Sequence, residues 1–122
     1  MKRVHWLLAD PYGYSILIYV GTWNQYRAHM LRHYAVDMGD QVNYGGEQSN
    51  IGNDTIEFSA IWLPRWDSKP WSIGTLSHEL NHACFRLFKR IGTKVREGKK
   101  NEPFCYLQGQ LLKRALETLN ER

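Results

Sequence analysis

Cysteine is scarce in this sequence: Cys84 and Cys105 are the only two among 122 residues, and they form no CxxC pair. That excludes a disulfide framework and a cysteine-built zinc site, and a reducing cytoplasm is the expected setting. Long apolar runs are also missing. The run at 4–9 is cut by Asp10-Pro11-Tyr12-Gly13 before it reaches signal-peptide length, and the run at 15–20 is far below the roughly 20 residues of a membrane span. Neither export nor membrane association is expected. No repeat, low-complexity tract or linker divides the chain, so residues 1–122 should form a single domain with one core and one site.

What is present points to a folded protein. Five tryptophans and seven tyrosines, with charged residues held to 23%, favour a globular core over disorder. The formal net charge is a modest +4. Arg86, Lys89, Arg90, Lys94, Arg96, Lys99 and Lys100 stand against a single acid, Glu97. This stretch reads first as a solvated helix end and loop, and second as a docking patch for an acidic partner. Nucleic-acid binding is not expected, because no recognisable binding motif accompanies the charge.

Residues 4–9 and 14–20 are rich in β-branched and aromatic side chains and flank a turn sequence, which predicts two strands in a hairpin. Residues 23–36 lack glycine and proline and place Tyr26, Met30 and Tyr34 four apart, which predicts an amphipathic helix ending near Gly39. The polar, glycine-rich stretch 40–54 reads as a long surface loop, and loops of that length are often functional. Residues 55–63 alternate, with Ile56, Phe58, Ala60 and Trp62 on one face, and Pro64 stops this third strand. In 71–91 the apolar stripe Ile73, Leu76, Leu80, Ala83, Leu87 and Ile91 predicts a buried-face helix halted by Gly92. Residues 103–119, with Phe104, Leu107, Leu111, Ala115 and Leu119 on one stripe and Pro103 at the first position, form the last helix. The fold class is α+β, a short, mostly antiparallel sheet packed on the 71–91 helix and the helix after it.

The chemistry is concentrated in His78-Glu79-Leu80-Asn81-His82. Histidines four apart on a helix project from the same face and can direct a ring nitrogen each at one ion about 2 Å away. Glu79, beside the first histidine, is placed to take a proton from a water that the ion polarises. A chance HExxH in so short a chain has odds on the order of one in a few hundred, and here it lies within the longest predicted helix. The alternative is a pair of partly exposed histidines beside a surface charge.

Zinc needs a third protein ligand with one position left open. No histidine follows His82, which leaves Glu97, Glu102, Glu117, Glu121 or a cysteine. Glu102 stands out: nineteen residues separate it from His82, and Pro103 puts it at the start of the final helix, where a helical hairpin returns it to the motif. The lesser alternative is that Glu102 serves as an N-terminal cap favoured by the helix dipole. His29 and His33 are also four apart, but no acid completes them and Arg27 and Arg32 oppose a cation. Cys84 points away from the His78/His82 face and Cys105 lies on an apolar helix, so both read as core thiols.

The HExxH at 78–82 with a later glutamate at Glu102, followed by Pro103-Phe104-Cys105-Tyr106-Leu107, resembles the gluzincin branch of the zincins. It is most similar to the minimal zincin-like metallopeptidases often encoded by phages and prophages. The resemblance covers residues 55–112. It implies a zincin-like fold, Zn²⁺ held by His78, His82 and Glu102, Glu79 as general base, and peptide or protein as substrate. It also implies that Tyr106, one turn after Glu102, supplies an oxyanion donor, and that strand 55–63 is the edge along which a peptide aligns. If phage-encoded, the protein would work in the host cytoplasm. Two other readings compete: a metal-stapled interaction module without proteolysis, docking a partner through the basic loop, and a basic nucleic-acid-binding protein with an accidental HExxH.

Overall fold

In the computed structural model, which describes residues 2–52, 57–93 and 101–121, a central strand, β2 (Tyr14–Val20), has six of its seven residues buried. Both faces of that strand are covered, which is why it reads as an almost continuous apolar run, Ile16-Leu17-Ile18-Tyr19-Val20. β1 (Val4–Ala9) pairs with it antiparallel across the Asp10–Gly13 turn, with Leu7 opposite Ile16. The chain then forms α1 (Trp23–Tyr34), the edge strand β3 (Glu47–Gly52), β4 (Glu57–Leu63), α2 (Pro70–Arg90) and α3 (Glu102–Leu119). The sheet order is β1-β2-β4-β3, with β2 and β4 parallel and β3 antiparallel to β4. The architecture is α+β with a mixed four-stranded sheet and three helices among the described residues.

Two cores follow from the strand period of two. Ile16, Ile18, Ile61 and Leu63 face Leu76, Leu80, Leu87, Leu107 and Leu111 of α2 and α3. Leu17, Tyr19, Ala60 and Trp62 face Trp23, Tyr26 and Met30 of α1. Each wholly buried leucine contributes about 2 kcal/mol of hydrophobic stabilisation, so α2 is anchored mainly through its stripe of Leu76, Leu80, Ala83, Cys84 and Leu87. α1 starts at a capping box in which the Thr22 hydroxyl accepts from Gln25 N and the Gln25 side chain accepts from Thr22 N. At the head of α2, Pro70 opens the helix, while Asp67 accepts hydrogen bonds from Lys69 N and the Ser72 hydroxyl. Gly92, at φ +76°, takes the chain out of α2.

Several expectations are corrected. The stretch 40–54 is not loop throughout: Glu47–Gly52 is a strand. It escaped notice because only Ile51 of its six residues is buried, as befits a polar edge held by backbone pairing. Consequently β4 lies inside the sheet between β2 and β3, and the edge is β3. Parallel pairing of β2 with β4 makes the sheet mixed. Cys84 is buried, and burial pushes its thiol up to about 12, but Cys105 is exposed and is not a core thiol. Ile91 lies past the helix end and is exposed. The basic segment 94–100 with Glu97, and Thr55 and Ile56, lie outside the described residues.

An ion-pair cluster fixes α2 against the sheet. Arg86 donates to both Glu57 oxygens, at 2.6 and 3.2 Å, and Arg90 donates to Oε2 at 2.6 Å. The Glu57 side chain is only 7% exposed, and its hydrogen bond from Arg86 outweighs burial to hold its carboxyl below the ordinary value. The folded state therefore favours the charged form. This contribution is complete above the unfolded value of 4.5 and is lost as pH falls through the depressed folded value. Glu57→Gln is expected to lower stability at pH 7 by about 2 kcal/mol in urea unfolding, with a weaker acid dependence than the parent. Identical midpoints at pH 7 would refute that role for Glu57.

Candidate metal centre

The buried stripe of α2 leaves the opposite side of the helix to solvent, and that side carries His78 and His82 one turn apart. Their Nε2 atoms stand 3.2 Å apart. Two nitrogens each about 2.05 Å from a tetrahedral ion are about 3.3 Å apart, so the pair is spaced as one metal ion requires. Glu79 Oε1 lies 3.8 Å from His78 Nε2, and ligand atoms of all three residues fall within 4.8 Å of one another. A donor set of two imidazoles and a carboxylate suits Zn²⁺ and fits other divalent first-row ions as well. His78, Glu79 and His82 could thus hold a metal ion.

The three residues differ in exposure. The His78 side chain is 69% exposed and that of Glu79 only 9%. Burial pushes the Glu79 carboxyl above its usual range; His78 and His82 oppose that shift, and Glu47 adds to it. A carboxylate moved toward neutrality is better matched to proton transfer near physiological pH.

The wall that buries Glu79 comes from 43–48, the end of the long loop and the start of β3. With Trp71, Thr75, His78, Glu79 and His82 it encloses a cleft of about 630 Å³. Gly46 makes the approach possible. Its φ is +154°, and a Cβ there would stand 2.9 Å from Thr75 Cγ2 and 3.2 Å from the Trp62 carbonyl oxygen, beside the Glu79 side chain at 3.7 Å. Glycine lets the strand entry press directly on α2 and screen the Glu79 carboxylate from water.

Glu102 and Tyr106 are placed elsewhere. Both are exposed, Tyr106 at 70%, and they line a separate groove with Asp10, Pro11, Tyr12 and Arg114. Glu102 is not among the residues that gather with His78 and His82. α3 meets α2 near the histidines through Phe104, whose ring centroid lies 4.6 Å from that of Phe85, and through Gln108, which donates to the Ser77 hydroxyl at 3.3 Å. Tyr106 does not line the His78/His82 cleft. Residues that do line it, and that reading the sequence did not single out, are Tyr44, Glu47, Trp71 and Thr75; the glycine-rich composition around Gly45-Gly46 was the one signal available. His29 and His33 stack at 4.4 Å beside Tyr19 and Tyr34 without forming a metal group among the described residues.

No helix among the described residues is long and apolar enough to cross a membrane. Comparison with protein-family models, curated proteins and solved structures finds no match, which leaves the chemistry of the His78-Glu79-His82 group as the ground for a functional reading.

Proposed function

We propose that the chain is a zinc-dependent hydrolase acting on peptide bonds, a minimal zincin-like metallopeptidase. The observation that carries this reading is the 3.2 Å separation of the two imidazole nitrogens beside a buried carboxylate at the floor of an open cleft. His78 and His82 would hold the ion, with Glu79 left free as base; Glu102 could join them as third ligand only by leaving the separate groove it lines here. A bound Zn²⁺ supplies Lewis acidity toward water and a scissile carbonyl. Glu79 accepts a proton at its carboxylate from the attacking water and returns it to the departing amine. β3 supports the substrate class. It is a sheet edge that begins in the cleft wall at Glu47 and Gln48, so an extended peptide can pair with its free backbone groups and lie across the His78/His82 face.

Metal analysis and hydrolysis test the reading together. Purified protein is expected to bind one zinc ion per chain, and to cleave an unfolded casein substrate in a reaction that a chelator stops and added zinc restores. Cleavage that survives complete metal removal, or zinc-loaded protein inert toward every unfolded substrate, would reject it.

A further inference from the structure

The chain carries a formal net charge of +4, yet its cleft contains neither lysine nor arginine among its lining residues and holds two carboxylates, Glu79 and Glu47. The proposed mechanism uses Glu79. Glu47 has no part in it. Its Oε1 accepts a hydrogen bond from the Asn43 side-chain amide at 3.2 Å, a neutral partner, and among the described residues no cationic side chain lies within ion-pair distance of it. Glu47 and Glu79 line the same cleft, and Glu47 is the carboxylate there that is left to pair with a cation from outside. The cleft further offers two aromatic side chains, Tyr44 and Trp71. Trp71 already receives the Arg65 guanidinium at 4.6 Å from its ring centroid, so this ring does accept a cation in this fold.

We infer that the cleft selects peptides bearing an ammonium or guanidinium group next to the bond to be cut, with the Glu47 carboxylate as its acceptor; this rests on the hydrolase reading of the same site. Glu47 is a specificity determinant. It touches the substrate's charged group and none of the reacting atoms. The cation has two sources, a free α-amino terminus or a lysine or arginine side chain, and the same experiment separates them.

Binding is measured by calorimetry on zinc-loaded Glu79→Gln protein, so that no turnover intervenes. The probes are matched short alanine–leucine peptides: one with a free α-amine, one N-acetylated, and one N-acetylated with a central lysine. One cationic peptide is expected to bind about five- to tenfold more tightly than the neutral one, the scale of a partly buried ion pair. The preference should shrink with added salt and vanish when Glu47→Gln is introduced. Tighter binding of the first peptide assigns the α-amine, and of the third the side chain. Glu47→Lys guards against a folding artefact: if it retains zinc, it should favour a succinylated peptide. Equal affinities, a preference that survives Glu47→Gln, or no binding at all would overturn the inference. Wild-type turnover on the same peptides keeps the two ideas apart. Hydrolysis without charge preference sinks the inference alone, and charge-selective binding without hydrolysis sinks the hydrolase reading alone.

Discussion

Replacing Glu79 with glutamine is expected to leave zinc stoichiometry at one per chain while lowering turnover by about 10²- to 10⁴-fold, the usual worth of a positioned general base. Glutamine keeps the shape and the hydrogen-bonding oxygen but cannot accept the proton. The substitution also removes a buried ionisable group, one that burial already disfavours in its charged form, so thermal stability should hold or rise slightly. Because kcat reports the step and KM the cleft, the loss should fall on kcat with KM nearly unchanged. Glu79→Gln protein that cleaves at the parent rate would deny the carboxylate its role, and with it the reason for the HExxH spacing. A variant that loses zinc together with activity would instead make Glu79 a ligand.

The elements that were legible in the sequence are those whose periodicity belongs to a single face. The α2 stripe Leu76, Leu80, Ala83 and Leu87 could be read from the chain because every member packs on one core. Pro70 and Gly92 mark its ends by backbone constraint alone. The His78/His82 pair was legible for the same reason, since its spacing is local to the helix and needs no tertiary information. β3 was not. Glu47-Gln48-Ser49-Asn50-Ile51-Gly52 has little intrinsic strand preference and exists because β4 offers it a hydrogen-bonding edge. β4 was found but misplaced as an edge, an expectation that came from the zincin resemblance; it is an inner strand, and even its polar Ser59 is buried. That hydroxyl is satisfied by Tyr14, at 2.8 Å, and by Gln48, at 3.2 Å, two residues far from it in sequence. The cleft's second wall depends on Gly46 reaching Thr75 and Glu79, a contact between distant segments that no local pattern encodes.

The identity of the third ligand can be settled by the ranking of zinc affinities in three variants, read by competition with a chromophoric chelator. Dividing an apparent zinc binding energy of about 10–16 kcal/mol among four ligands assigns about 3 kcal/mol to each, or roughly a hundredfold in affinity. His82→Ala removes one of two nitrogens held 3.2 Å apart, so affinity should fall by at least that factor, and activity with it. Glu102→Gln is expected to cause a comparable fall if its carboxylate joins the imidazoles. Glu102 begins α3 and is exposed there, so its loss should barely alter the apo protein's unfolding midpoint, and a weakened zinc affinity could not be blamed on misfolding. Should Glu102→Gln bind zinc as the parent does while Glu79→Gln binds poorly, the metal would be held by the three groups that already stand within 4.8 Å of one another. Glu79 would then be coordinated and unable to serve as base, and the zinc would act as a staple on α2 in place of a hydrolytic centre.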